Sequence, residues 1–152
     1  MNSVVHDSFR LERTYPASPE RVFAAWQTLE AKAQWFGNED GLEPVDEHVL
    51  EFRTGGREHF SARFDGTVYD FDATFQDIVA NQRIVWTYQM LADGRRMSVS
   101  VATVEITGVP GGAQLVMTEQ GAFLDGLDTN DQRRQGTEQF LDNLAGFLAP
   151  SA

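Results

Sequence analysis

The end of the chain constrains the fold most. Residues 115 to 124, LVMTEQGAFL, close a series of alternating segments, and a short acidic loop then leads into one last amphipathic helix. Thr129 and Gln132 have capping-box spacing, in which the hydroxyl accepts from a free backbone N–H and the amide side chain reaches back to the cap. The helix is therefore predicted to start near Asn130. Phe140, Leu141, Leu144, Phe147 and Leu148 recur at helical spacing, which leaves Arg133, Arg134, Glu138, Asp142 and Asn143 for the solvent face. Pro150 ends the helix, because its ring disfavours the helical conformation in the residue before it. A helix with one apolar stripe needs a partner surface, and the alternating segments point to a concave sheet gripping it.

Those segments follow period-two alternation. In GTVYDFDATFQDI, Tyr69, Phe71, Ala73 and Phe75 fall on one face and Asp70, Asp72, Thr74 and Gln76 on the other, the pattern of a half-buried strand. Further strands are predicted over Arg83 to Met90, Met97 to Ile106 and Gln114 to Gln120, with turns at Ala80-Asn81, Asp93-Gly94 and Gly108 to Gly112. Such short connections make antiparallel neighbours. Leu50 to Arg53 and Glu58 to Phe64 flank a hairpin at Thr54-Gly55-Gly56, and Phe9 to Tyr15 begins the sheet. Between them, Ser18 caps a helix with Pro19 at its first position and Val22, Phe23, Ala25 and Trp26 as its apolar stripe. A second helix is predicted from Thr28 to Phe36, stopped by Gly37. The expected order is strand, two helices, six strands and a long helix.

A chain of 152 residues is about one domain long, so a single domain over residues 1–152 is expected, large enough to bury a core without staples. With no cysteine, disulfides and thiolate chemistry are excluded. No basic leader with an apolar run and no membrane-length apolar stretch occurs, which predicts a cytoplasmic protein. Twelve basic against 23 acidic residues give a net charge of −11, and Lys32 is the only lysine. A field of that sign repels phosphates and anionic head groups, so nucleic acid and membrane surfaces are not expected partners.

Several motifs now fall in one order: Ala17-Ser18-Pro19-Glu20-Arg21-Val22-Phe23 with Trp26, Trp35-Phe36, Arg53-Thr54-Gly55-Gly56, Asn81 to Tyr88, and Thr118 to Gly126. Over about residues 8 to 148 the chain resembles the START-related (SRPBCC) helix-grip superfamily, and within it the AHSA type, named after activators of the heat-shock protein 90 ATPase. The resemblance implies an α+β fold in which a seven-stranded antiparallel sheet wraps round the C-terminal helix, with a cavity between them and two short helices after the first strand. Relatives use such cavities for lipids, sterols, polyketides or plant hormones, and the family has no single catalytic triad to carry over. Many members have Gly-Trp near the start of the last helix where this chain reads Gly136-Thr137, and losing the indole should enlarge or re-shape that end of the cavity.

No motif assigns a reaction. His6, His48 and His59 are far apart and lack convergent partners, so they are expected to be exposed or singly hydrogen-bonded rather than metal ligands. Asp125, Asp128 and Asp131 lack EF-hand spacing and are expected in loop and helix-cap roles. Serine has no nucleophile-elbow setting, and the glycine pairs lack a phosphate-loop pattern. Glu58 shares a strand face with Phe60, Ala62 and Phe64, and Glu119 one with Leu115 and Met117, so both carboxylates are candidates to look into an apolar concavity, where burial is expected to raise the pKa of at least one. The competing reading puts both at strand ends, Glu58 hydrated and Glu119 paired with an arginine such as Arg57.

The expected ligand-binding set is Trp35, Glu58, Phe60, Phe64, Phe71, Phe75, Trp86, Tyr88, Met117, Glu119, Phe140 and Leu144, with no catalytic residue, metal or cofactor assigned. The expected partner is a small apolar or amphipathic molecule, with a homodimer as the assembly to test. Three classes compete. A binding protein needs only the pocket; a cyclase or aromatase needs two or more titratable groups converging on one ligand position, with Glu58, Glu119 and Tyr88 as candidates; a co-chaperone needs a large docking face.

Overall fold

The long strands expected from alternation are all present in the computed structural model, which describes residues 3–150. β1 spans Val4–Tyr15 and is followed by helices α1, Pro19–Gln27, and α2, Leu29–Lys32. Two short strands, β2 at Glu43–Pro44 and β3 at Val49–Leu50, precede β4 at Arg57–Phe64. Then come β5, Thr67–Val79, β6, Arg83–Ala92, β7, Arg95–Val109, β8, Gly112–Leu124, and the helix α3, Asn130–Leu148.

The strands form one antiparallel sheet in the order β1-β8-β7-β6-β5-β4-β2, with β3 also paired to β4. Its eight strands exceed the seven expected. The addition is β2, whose two residues are too few to show alternation. Turns fall where the sequence places them: Asn81 and Asp93 lie at φ 65° and 47°, in the left-handed region that short polar side chains tolerate. At the β3–β4 connection a Cβ on Gly56 would lie 2.0 Å from the Glu51 carbonyl oxygen, so only glycine fits.

Along β8, Leu115, Met117 and Glu119 are buried on one face, and Ile84, Trp86 and Tyr88 continue that face on β6. α3 covers it. Leu141, Leu144 and Leu148 are buried against the sheet, and the Tyr15 hydroxyl donates to the Leu141 carbonyl at 3.1 Å. Thr129 caps α3 by accepting from Gln132 N–H, but the reciprocal half of the expected box is replaced: Thr129 N–H donates to Asp128 Oδ1 at 2.8 Å. Ala149 leaves the helix in an extended conformation ahead of Pro150.

α1 starts as expected, with Ser18 accepting from Arg21 N–H, and buries Val22, Phe23, Ala25 and Trp26. α2 is shorter than predicted, because residues after Lys32 tighten into turns in which Trp35 and Phe36 N–H both donate to the Lys32 carbonyl. Gly37 follows at φ +78°, and a Cβ there would strike the Phe60 ring at 2.6 Å. Among the described residues no helix is long and apolar enough to cross a membrane.

Candidate functional site

A cavity of about 310 Å³ opens between β4, β5, β6, the segment after α2 and the first half of α3. Its walls are mainly apolar: Phe36, Phe60, Phe71, Met90 and Phe140 face it, with Phe64, 46% exposed, contributing to the lining. Alternation on β4 and β5 puts Phe60, Phe64, Tyr69 and Phe71 on this side, and helical spacing puts Arg133, Gly136, Thr137 and Phe140 opposite them. Gly136 borders the space with nothing within 4 Å of where a Cβ would stand.

The cavity has one strongly polar wall. Arg133 Nη1 donates to the Tyr88 hydroxyl at 2.8 Å, and Nη2 donates to Ser98 Oγ and Asp128 Oδ2, each at 2.7 Å. Tyr88 in turn donates to Glu119 Oε2 at 2.8 Å, which Arg133 Nη1 also approaches at 3.4 Å. Burial raises the Glu119 pKa above the ordinary carboxylate value; Arg133 and Tyr88 pull it down without cancelling that effect. Burial and the Glu119 charge likewise raise Tyr88, leaving the phenol a proton donor. This wall can orient a polar ligand end and hold or move a proton.

A second, inner void of about 20 Å³ shares the side chains of Phe36, Phe71, Tyr88 and Phe140 with the cavity and is completed by Trp26, Lys32, Trp86, Met117 and Glu119. Lys32 Nζ stands 4.8 Å from the Phe36 ring centre and 5.4 Å from that of Trp26, donating to Glu58 Oε1 at 2.5 Å. His48 Nε2 lies 2.7 Å from the other Glu58 oxygen. Burial alone would raise the Glu58 pKa, but the adjacent Lys32 charge and His48 hold it below the ordinary value.

The model of the Activator of Hsp90 ATPase homolog 1-like protein (AHSA1) family matches residues 16–149. The chain belongs to this family. It is 44% identical to a protein of known structure from Rhizobium leguminosarum, over 96% of each chain and with a TM-score of 0.90. A protein from Rhizobium loti is 42% identical, with 97% of this chain covering 100% of that one and a TM-score of 0.88. DynU16, from the dynemicin biosynthetic locus, is 21% identical and shares the fold, with 93% of this chain laid on 47% of that one at a TM-score of 0.68. None of the curated proteins matches the chain.

In this AHSA1 member the residues singled out from sequence, Glu58 apart, divide into three groups. Phe60, Phe64, Phe71, Tyr88 and Phe140 line the cavity, while Trp86, Met117 and Glu119 line the inner void. Trp35, Phe75 and Leu144 belong instead to the packed core: Trp35 is enclosed by Trp26 and Phe140, with its Nε1 donating to the Ala25 carbonyl at 3.1 Å. Glu58 corrects both sequence readings, being only 1% exposed yet outside the linings of both spaces. Lys32 meets the void in its place.

Arg57 is exposed and pairs with Asp72, so the arginine facing Glu119 is Arg133. Arg133 was expected on the solvent face of α3, and it is the largest departure. Its long side chain turns inward because two carboxylates, a phenol and two serine hydroxyls solvate the guanidinium there better than an apolar stripe could. Asp128 fulfils the expected cap role and adds the ion pair. His48 is singly hydrogen-bonded, as expected, and no cluster that could hold a metal occurs among the described residues. Sequence offered one unread signal for Lys32, its status as the only lysine beside Trp35-Phe36. For Arg133 it offered none, since periodicity treats every charge alike.

Proposed function

We propose that this AHSA1-family protein binds a small molecule with an apolar body and one polar end in the cavity between the sheet and α3. One observation carries the reading: a 310 Å³ space walled by phenylalanines on both sides is bounded on one wall by the Arg133–Tyr88 pair. Ligand sites combine an apolar lining of this size with a few convergent polar groups in the same way. Native mass spectrometry of freshly purified protein tests it. A co-purified mass, or a saturable shift with added naphthalene, is expected in the wild type and lost on narrowing the cavity with Gly136→Leu. A protein that takes up neither would sink the reading.

A second reading, acid–base chemistry of the cyclase kind, is favoured by the convergence of Tyr88, Glu119 and Arg133 within 2.8 to 3.4 Å where the cavity and the inner void share Tyr88. Tyr88 would donate its proton to a ligand carbonyl oxygen while Glu119, through its unpartnered Oε1, takes one from the neighbouring carbon, so that the ligand enolises with its proton count unchanged and Arg133 supports the phenol oxygen. Deuterium exchange into a 1,3-diketone, followed by NMR, should accelerate with wild-type protein and not with Tyr88→Phe. Equal rates with both would remove this reading and leave binding alone.

A further inference from the structure

Among the described residues, three buried side-chain atoms have no hydrogen-bond partner in the protein: Trp26 Nε1, Trp86 Nε1 and Glu119 Oε1. All three residues wall the same inner void. Buried polar groups are normally paired, so three orphans round one small space mark it as built for a polar atom. The contrast with Trp35 is internal to the same aromatic cluster, because that indole is satisfied by the Ala25 carbonyl. Glu119 shows the same asymmetry within one carboxyl group: Oε2 takes Tyr88 and Arg133, and Oε1 takes nothing.

Two N–H donors and one carboxyl acceptor match an oxygen that accepts twice and donates once, which a single water or a ligand hydroxyl displacing it supplies. A hydroxyl oxygen accepts through two lone pairs and donates one hydrogen, so it satisfies all three. An ether oxygen leaves the acceptor facing lone pairs, and an ammonium leaves the donors facing hydrogens. At about 20 Å³ the void has room for one oxygen-sized group, and a carboxylate would be too large and would oppose Glu119. Lys32 Nζ, 5.4 and 5.9 Å from the Trp26 and Trp86 ring centres, is engaged by Glu58 and leaves the hydroxyl to the two indoles and Glu119. Phe36, Phe71 and Phe140, shared by both spaces, would flank the ring as it passes into the cavity.

We infer that the ligand is a hydroxylated aromatic molecule whose hydroxyl enters the inner void between the Trp26 and Trp86 indoles and Glu119. The inference rests on the cavity being a ligand site and adds which chemical group it selects.

The test uses the full chain with 2-naphthol, 2-methoxynaphthalene and naphthalene, with affinities from calorimetry. Two or three added hydrogen bonds should make 2-naphthol bind at least about tenfold more tightly than the other two. Trp26→Phe and Trp86→Phe should each reduce that preference several-fold. Since either variant risks the fold, the wild-type indole signals in a ¹H–¹⁵N spectrum give an independent answer. Those of Trp26 and Trp86 should shift with 2-naphthol well beyond the ring-current effect of naphthalene, and that of Trp35 should not. Equal affinities for the naphthol and its methyl ether, or matching indole shifts with naphthol and naphthalene, would overturn the inference while naphthalene binding upheld the cavity. Failure of all three probes to bind would overturn both.

Discussion

The Arg133 guanidinium on α3 donates to the Tyr88 hydroxyl on β6 at 2.8 Å, tying helix to sheet beside the cavity. Its side chain is 10% exposed and carries the charges of Asp128 and Glu119 as neighbours. Removing it would leave two carboxylates buried without a cation. Arg133→Met is therefore expected to cost about 3–5 kcal/mol in denaturant unfolding. Arg133→Lys should recover less than half of that, because an ammonium cannot reproduce the planar fork that reaches Asp128, Ser98 and Tyr88 together. A loss within 1 kcal/mol for Arg133→Met would show that the clasp does not hold the grip closed.

Glu119 should leave its mark on the pH dependence of stability. Its carboxyl is raised by burial, so protonation favours the folded state: the contribution is fully present below the unfolded value of about 4.3 and is lost as pH rises through the raised folded value. Glu119→Gln should flatten this decline, measured as unfolding free energy from acid to neutral pH. The same slope in wild type and variant would place the titration elsewhere.

Glu58 has the opposite sign. Lys32 and His48 hold its pKa below the ordinary value despite burial, so its contribution is present above about 4.3 and disappears as pH falls through the depressed value. Lys32→Met strands the Glu58 charge and should cost about 3–5 kcal/mol at neutral pH, whereas Lys32→Met with Glu58→Leu should regain much of it. Thermal unfolding of the single and double variants separates a stranded charge from lost packing, which would leave the double variant no better than the single.

Gly136 is an interior helix residue with open space where a Cβ would stand. Gly136→Ala should raise stability by about 0.5–1 kcal/mol by helix propensity alone. Gly136→Leu should keep that gain and weaken naphthalene binding as its side chain enters the cavity. A destabilised Gly136→Ala protein would show that this turn of α3 approaches the sheet more closely than the structure has it.

Sequence made the scaffold readable because each element carries its own periodicity. Phe71, Ala73 and Phe75 recur every second residue, Leu141, Leu144 and Leu148 every third or fourth, and Ser18 and Thr129 cap the helices they precede. It identified Phe60, Phe64, Phe71 and Phe140 on the same ground and missed Phe36, which enters the cavity from the turns after α2. It could not pair charges across the fold. Glu58 meets Lys32 across 26 residues of chain, and Tyr88 meets Arg133 across 45. Such partners depend on how far α2 and α3 are pushed over the sheet, which no local pattern records. β2 escaped for a related reason, since a two-residue strand is defined by its neighbour β4.

The solitude of Lys32 gives the molecule a built-in clock. Every other basic side chain is an arginine or a histidine, and the single ε-amine lies 3% exposed beneath three aromatic rings. An amine-directed reagent can therefore modify a lysine here only in molecules whose aromatic lining has parted, and the rate at which that one label accumulates reports how often the interior breathes.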